Sequence, residues 1–495
     1  MNQKTKNSGL NVGVKSYLTA IFMILALMVL TYLLTLFVPG GRYARILDAS
    51  GNSIIDPNGA FYFVEGGIPL WKWLLSPILA LGADGGGMII AILAFLIVIG
   101  GIFTCLQDCG LMNYMLGTIV SRFGKNRYKL IAIITLFFMA MGAVIGSFEE
   151  CIPLVPIVTQ LAVGLGWDVM TGLCMSLLAV GCGFASGLCN PFTVGIAQNL
   201  AGLPMYSGLW LRAVAFVLIY GLLMLFLLRH AKSVDTRTIT SYYSYYRQDP
   251  KKTKALLWFV SILGVGMVLI FSSSFITALQ DYTIVIVALM FLIGGLTSAI
   301  LSGMTAKQIG QSFCNGSVGI FPAVVLILMA SSIKYTLTES KILDTLLYWA
   351  IQGMEHLPQW AIVLAIYLLV LGLNFFISSG SAKAFLLIPL MVPITAHFGI
   401  NSQLSVLAFA FGDGFSNVFY PTNAALLIAL GLTGTPYGTW AKFTWKFQAV
   451  NLVLTSLLLL LGLAVGYCGT IHPIMGWIFF FLWGHFISHI SKSHV

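Results

Sequence analysis

The stretch 402–434 reads SQLSVLAFAFGDGFSNVFYPTNAALLIALGLTG. Run as one straight helix it would measure about 50 Å at about 1.5 Å per residue. The hydrocarbon core of a bilayer is only about 30 Å thick. Its centre, FGDGFSNVFYPTN (411–423), holds Gly412, Gly414 and Pro421. Glycine loosens a helix and proline interrupts its hydrogen bonds. The pattern predicts two half-helices joined by unwound backbone. At membrane depth such backbone is tolerated only where it is buried in protein or lines a cavity.

The same pattern recurs upstream in 168–203, whose middle is GCGFASGLCNPFT (181–193). Further matches keep the same order. GGIFTCLQDCGLMNYML (100–116) aligns with SSIKYTLTESKILDTLL (331–347), IPLVPI (152–157) with IPLMVPI (388–394), and AGLP (201–204) with TGTP (433–436), all at spacings of about 230–237 residues. Ordered matches of this kind indicate duplicated halves. The loop SRFGKNRYK (121–129) is basic, whereas its counterpart GMEHLPQ (353–359) has no Lys or Arg. Conversely, Lys442 and Lys446 follow Pro436, while the loop after Pro204 lacks basic residues for several positions. Under the positive-inside rule the halves cross in opposite directions. Inverted repeats are a signature of secondary transporters, with the substrate site near mid-membrane between them. Segments 130–165 and 359–399 turn at GSFEE (146–150) and SSGSAK (378–383); they read equally as re-entrant hairpins or tight pairs of spans.

Composition agrees. Hydrophobic residues make up 59% of the 495 and charged residues 8%, against about 25% charged in soluble domains. The expected fold is an all-α polytopic membrane protein of two inverted-topology repeats with broken helices and re-entrant hairpins, in about ten to thirteen membrane segments. The net charge of +10 lies in short loops and reads as topology rather than nucleic-acid binding. The eight cysteines form no CxxC pair and read as small buried hydrophobes. The expected divisions are an N-terminal repeat (1–232), a cytoplasmic linker rich in Lys, Arg and Tyr (233–254), a C-terminal repeat (255–467) and an extension (468–495) that can add one more span. The polar start, with Lys4, Lys6 and Lys15, precedes a first retained span at 17–37. This places the N-terminus inside the cytoplasm of a bacterial inner membrane.

Polar groups inside apolar segments are the candidate functional residues, because they are costly there and face cavities or partners. Glu149 and Glu150 suit a coupling ion or a cationic group of the substrate, and so does Asp413 within GDG. Lys383 follows a tip; it and Lys334 each suit either a carboxylate of the substrate or a pairing with Glu149, Glu150 or Asp413, and Lys334 reads equally as an interfacial residue. Half-helix N-termini offer free N–H groups and a positive dipole to a carboxylate. Asn190, Thr193, Ser378, Ser379, Gly380, Ser381, Thr422 and Asn423 lie at those ends and are taken as substrate-binding. The histidines fall near segment ends or in the tail. The chain shows no metal-site signature, no nucleophile–base constellation of an enzyme and no phosphate-binding loop. The expected reading is therefore secondary transport without cofactors, coupled to Na⁺ or H⁺ or to exchange; a channel is the reading from a different class.

NFFISSGSAKAFLLIPLMVPI, AFGDGFSNVFYPTNAALLIALG and FEECIPLVPI resemble the YfcC-type proteins, which group with the C4-dicarboxylate anaerobic carriers and basic amino acid antiporters of the ion transporter superfamily. The resemblance spans roughly residues 15–467. It implies a two-repeat fold with re-entrant hairpins, uptake or exchange of small carboxylate-bearing metabolites and, by analogy, a homodimer. It matches Glu149 and Glu150 to the family's acidic pair and Asp413 to its GDG aspartate. Lys383 departs from the neutral polar residue familiar there, which bears on substrate charge preference. Amino acids such as arginine and ornithine are the expected substrates, with C4-dicarboxylates the alternative.

Overall fold

A computed structural model describes residues 14–47, 53–56, 59–83, 86–123, 126–146, 148–235, 249–273, 282–354 and 356–468. The tyrosines expected at the centre of the linker and all of the extension beyond Cys468 lie outside the described residues. Helices dominate. Among the described residues seven are long and apolar enough to cross a membrane, or eight if Ala306–Gly319 and Val324–Glu339, bent by 41°, form one span. Shorter apolar helices, Ile21–Phe37 and Gln359–Asn374, accompany them. Many large apolar side chains are exposed, among them Phe22, Val217, Leu257 and Val453. Such a surface suits lipid, and the chain is a multi-pass membrane protein.

Both stretches read as broken from the sequence are broken. The upstream one runs as helix over Val169–Leu173 and Ala179–Ser186, with a widened π-type turn at Cys174–Leu178 between them. It stops at Gly187, whose φ is +50°, and restarts at Pro191. The downstream one runs over Ser402–Gly414, tightens over Phe415–Val418, then resumes at Ala424–Leu432. The most apolar window of 169–200 is 89% buried, against 33% for Leu209–Ser233 and for Tyr437–Ala464. The broken helix is therefore central and the other two face lipid. Missing side chains let the central helices touch: a Cβ on Gly414 would fall 2.2 Å from the Ala185 Cα, and one on Gly183 would fall 1.8 Å from the Met139 carbonyl oxygen. Small residues bring membrane helices into close contact.

The segments 130–165 and 359–399 also share an element order. Arg127–Ala140 continues through a π-type turn to Ile145, breaks at Gly146, and passes through a 3₁₀ turn, Glu149–Leu154, into Val155–Gly164. Gln359–Asn374 breaks at 375–379 and resumes as Gly380–His397. Each pair joins one helix long enough to cross with a shorter partner.

In the loop 40–66 the fold departs from all-α. Gly41–Tyr43 pairs antiparallel with Phe61–Phe63, and Arg45–Leu47 with Ser53–Ile55. The loop grips the Ile342–Gln352 helix of the second half. Arg45 Nη2 lies 3.1 Å from Asp344 Oδ2, the Tyr43 N–H donates to the same oxygen, and Thr345 Oγ1 donates to the Pro39 carbonyl at 2.8 Å. The Phe61 ring stacks on Tyr348 at 4.2 Å. These strands are three residues each, too short to show an alternating pattern in sequence.

Candidate functional site

The tips and the breaks meet. Glu149 from the first tip, Ser378 from the second and Asn423 at the downstream break line one cavity, walled by Ile92, Phe95 and Ile284. Counted with its open mouth, its empty space is about 380 Å³. Glu149 and Glu150 open the short 3₁₀ turn and are half-buried, while Ser378 and Ser379 are exposed.

Beside this cavity lies a buried polar cluster. Lys383, in the first turn of Gly380–His397, has no exposed surface. Its Nζ contacts Asp413 Oδ1 and Asn374 Oδ1. Asp413 also has no exposed surface. Asn374 Nδ2 lies 3.0 Å from the Asp413 carbonyl oxygen, 2.5 Å from Ser416 Oγ and 2.9 Å from Asn417 Oδ1. Asn423 Nδ2 donates to the same Asn417 oxygen at 3.1 Å. Gly380 and Thr193 close this cluster: a Cβ on Gly380 would stand 2.6 Å from Asp413 Oδ2 and 2.8 Å from Thr193 Cγ2. The backbone of the second tip thus approaches the aspartate only because position 380 has no side chain.

Several candidate site residues have hydrogen-bond partners within the chain. Asn190 Oδ1 accepts from the N–H groups of Phe192 and Thr193, Ser379 Oγ from Ala382, and Asn423 Oδ1 from Leu426. Each of the three half-helix N-termini therefore has one or two of its free N–H groups capped by its own chain. The sequence could not show this, because a capping Asn and a ligand-binding Asn look alike. Thr422 is half-buried at the downstream break, and Ser381 is half-buried beyond the second tip. Lys334 is half-buried on Phe321–Glu339 and does not line the cavity.

Other residues were missed. Asn374 ends an apolar run, and a lone asparagine there was the available signal. Arg212, 1% exposed, donates to the carbonyls of Gly187, Tyr206 and Ser207 at 3.3, 3.0 and 2.7 Å. It thereby places a cation at the C-terminal end of the upstream half-helix, where the dipole favours one. Gln198 Nε2 donates to Gln403 Oε1 at 3.1 Å, tying the helix after the upstream break to the start of Ser402–Gly414. Outside the spans, Asp168 caps the helix starting at Val169 and lies 2.9 Å from His230 Nε2. Burial pushes its carboxyl up, but the hydrogen bonds from His230 and Thr171 outweigh this and hold its pKa below the ordinary value.

Residues 18–464 match the family model described as DcuC: C4-dicarboxylate anaerobic carrier. The chain belongs to this family. It is accordingly a transporter and not an enzyme. Within the family's range, it is 29% identical over 408 residues to the "Putative basic amino acid antiporter YfcC" of Escherichia coli (strain K12), covering 77% of this chain and 79% of that one. An uncharacterized protein of Haemophilus influenzae is 24% identical over 395 residues, with 76% and 75% covered. Among solved structures, the Alcanivorax borkumensis YdaH transporter overlaps at a TM-score of 0.43 and 17% identity, covering 92% of this chain and 100% of that one. Neisseria gonorrhoeae MtrF does so at 0.42 and 14%, covering 89% and 94%.

Proposed function

We propose that this carrier is a secondary transporter in the bacterial inner membrane, N-terminus cytoplasmic, that exchanges or symports amino acids bearing a cationic group, arginine and ornithine among them. One observation carries this reading: the acidic side chain lining the cavity is Glu149, while the nearby Lys383 is turned away into Asp413 and Asn374. A doubly negative substrate would enter beside a carboxylate with that ammonium already committed. Like charges at such close quarters in low dielectric repel strongly. A substrate with a positive group gains from the same carboxylate, and Ser378 and the polar edge at Asn423 serve its other end. The shared element order of the two halves supports an inverted repeat around this cavity. The name of the Escherichia coli relative points the same way.

The second reading is a C4-dicarboxylate carrier coupled to Na⁺ or H⁺. The family's description favours it, together with the exposed hydroxyls of Ser378 and Ser379 at the second tip. Competition separates the two. Proteoliposomes loaded with ornithine take up labelled arginine, and unlabelled arginine, ornithine, succinate and malate compete in turn. Inhibition by arginine and ornithine is expected. If succinate and malate alone bind and move, the dicarboxylate reading replaces the lead; conductance without exchange would make the protein a channel.

A further inference from the structure

Lys383 is placed unusually for a residue so close to an exposed tip. Ser379, four positions earlier, is exposed, yet Lys383 is wholly buried. Its Nζ meets oxygens from two elements: Asn374 Oδ1, at the end of the helix before the tip, and Asp413 Oδ1, at the downstream break. The oxygens of Ser416 and Asn417 and the Asp413 carbonyl bind the other end of Asn374. Asp413 Oδ2 is buried and takes no hydrogen bond among the described residues. The Lys383 nitrogen therefore meets two oxygens, one of them from a carboxylate, where three helix ends converge. Oxygen ligands of this kind hold hard cations, and unwound carbonyls beside a carboxylate can coordinate Na⁺ in transporters.

We propose that the Lys383 ammonium is a tethered cation occupying the oxygen site at Asp413, so that this site needs no Na⁺ to neutralise its carboxylate. Removing the ammonium leaves an oxygen-lined space of net negative charge, and that space binds Na⁺. The inference deepens the transport reading by assigning the coupling at this site, but it is testable without transport.

The experiment follows thermal unfolding of the purified full-length protein in detergent while NaCl replaces choline chloride at constant ionic strength. Wild type is expected to keep its Tm. Lys383→Ser and Lys383→Gln are expected to melt lower in choline and to rise saturably with Na⁺. The double variant Lys383→Ser/Asp413→Asn is expected to lose that rise. A wild-type rise as large as the variants', or folded, monodisperse variants indifferent to Na⁺, overturns the proposal. If neither single variant folds, radiolabelled Na⁺ binding to the wild type decides: binding abolished by Asp413→Asn overturns the proposal, and binding absent or unaffected supports it. Arginine uptake measured in choline keeps the two readings apart. Failure of all arginine uptake removes the proposed function and leaves the melting result standing.

Discussion

Neutralising either member of the Lys383–Asp413 pair should harm the protein more than neutralising both. Each side chain has no exposed surface, and they contact directly. Lys383→Met strands a buried carboxylate, and Asp413→Asn strands a buried ammonium. Breaking a buried pair from one side costs about 3–5 kcal/mol, whereas replacing both members by uncharged groups of similar volume is often near neutral. The double variant should therefore stand within about 1 kcal/mol of wild type, giving a coupling energy of at least about 3 kcal/mol. The assay is a double-mutant cycle measured by unfolding in mixed detergent micelles. Choline serves as the only added cation, so that no Na⁺ substitutes for the missing ammonium. Effects that simply add to within about 0.5 kcal/mol would refute the buried pair as the feature that holds the second tip against the downstream break.

Glu149→Gln keeps the size of the side chain that lines the cavity and should leave membrane insertion intact. Labelled arginine uptake should fall about tenfold or more, since a hydrogen bond to a charged group contributes about 1.5–3 kcal/mol; wild-type flux would remove Glu149 from the mechanism. Gly183→Ala puts a methyl group where the Met139 carbonyl oxygen stands 1.8 Å away, so a loss of about 1–3 kcal/mol is expected from overpacking in the same unfolding assay, and an unchanged midpoint would contradict the helix crossing. Asp168 has a lowered pKa through His230 and Thr171, offsetting the upward push of burial. Its stabilisation is therefore complete above the ordinary carboxylate value of 3.8 and is lost as pH falls through the lower folded value. The Tm gap between wild type and Asp168→Asn should accordingly close once the solution is more acidic than about pH 4; a gap that persists unchanged in strong acid would reverse the assignment.

The sequence by itself determined that the chain lives in lipid and that two of its long segments cannot be straight helices. Both follow from one-dimensional quantities: the fraction of charged residues, the length of an apolar run against the bilayer thickness, and the positions of glycine and proline. The same quantities located Glu149, Asp413 and the polar tips, because an ionisable residue inside an apolar run stands out without knowledge of its neighbours. Tertiary structure alone decided which polar group meets which. Lys383 and Asp413 are thirty positions apart, and no local pattern says that they touch rather than face a ligand. Asn190 and Asn423 turn out to satisfy backbone N–H groups of their own half-helices, a choice set by backbone angles at the break. Arg212 reaches the Gly187 carbonyl, and Asn374 the Asp413 carbonyl, only when their helices pack beside the breaks. A carboxylate or ammonium in low dielectric must find a counter-charge or hydrogen bonds, but the sequence states only the need. Packing of the helices, through glycines at 183, 380 and 414, selects the partner.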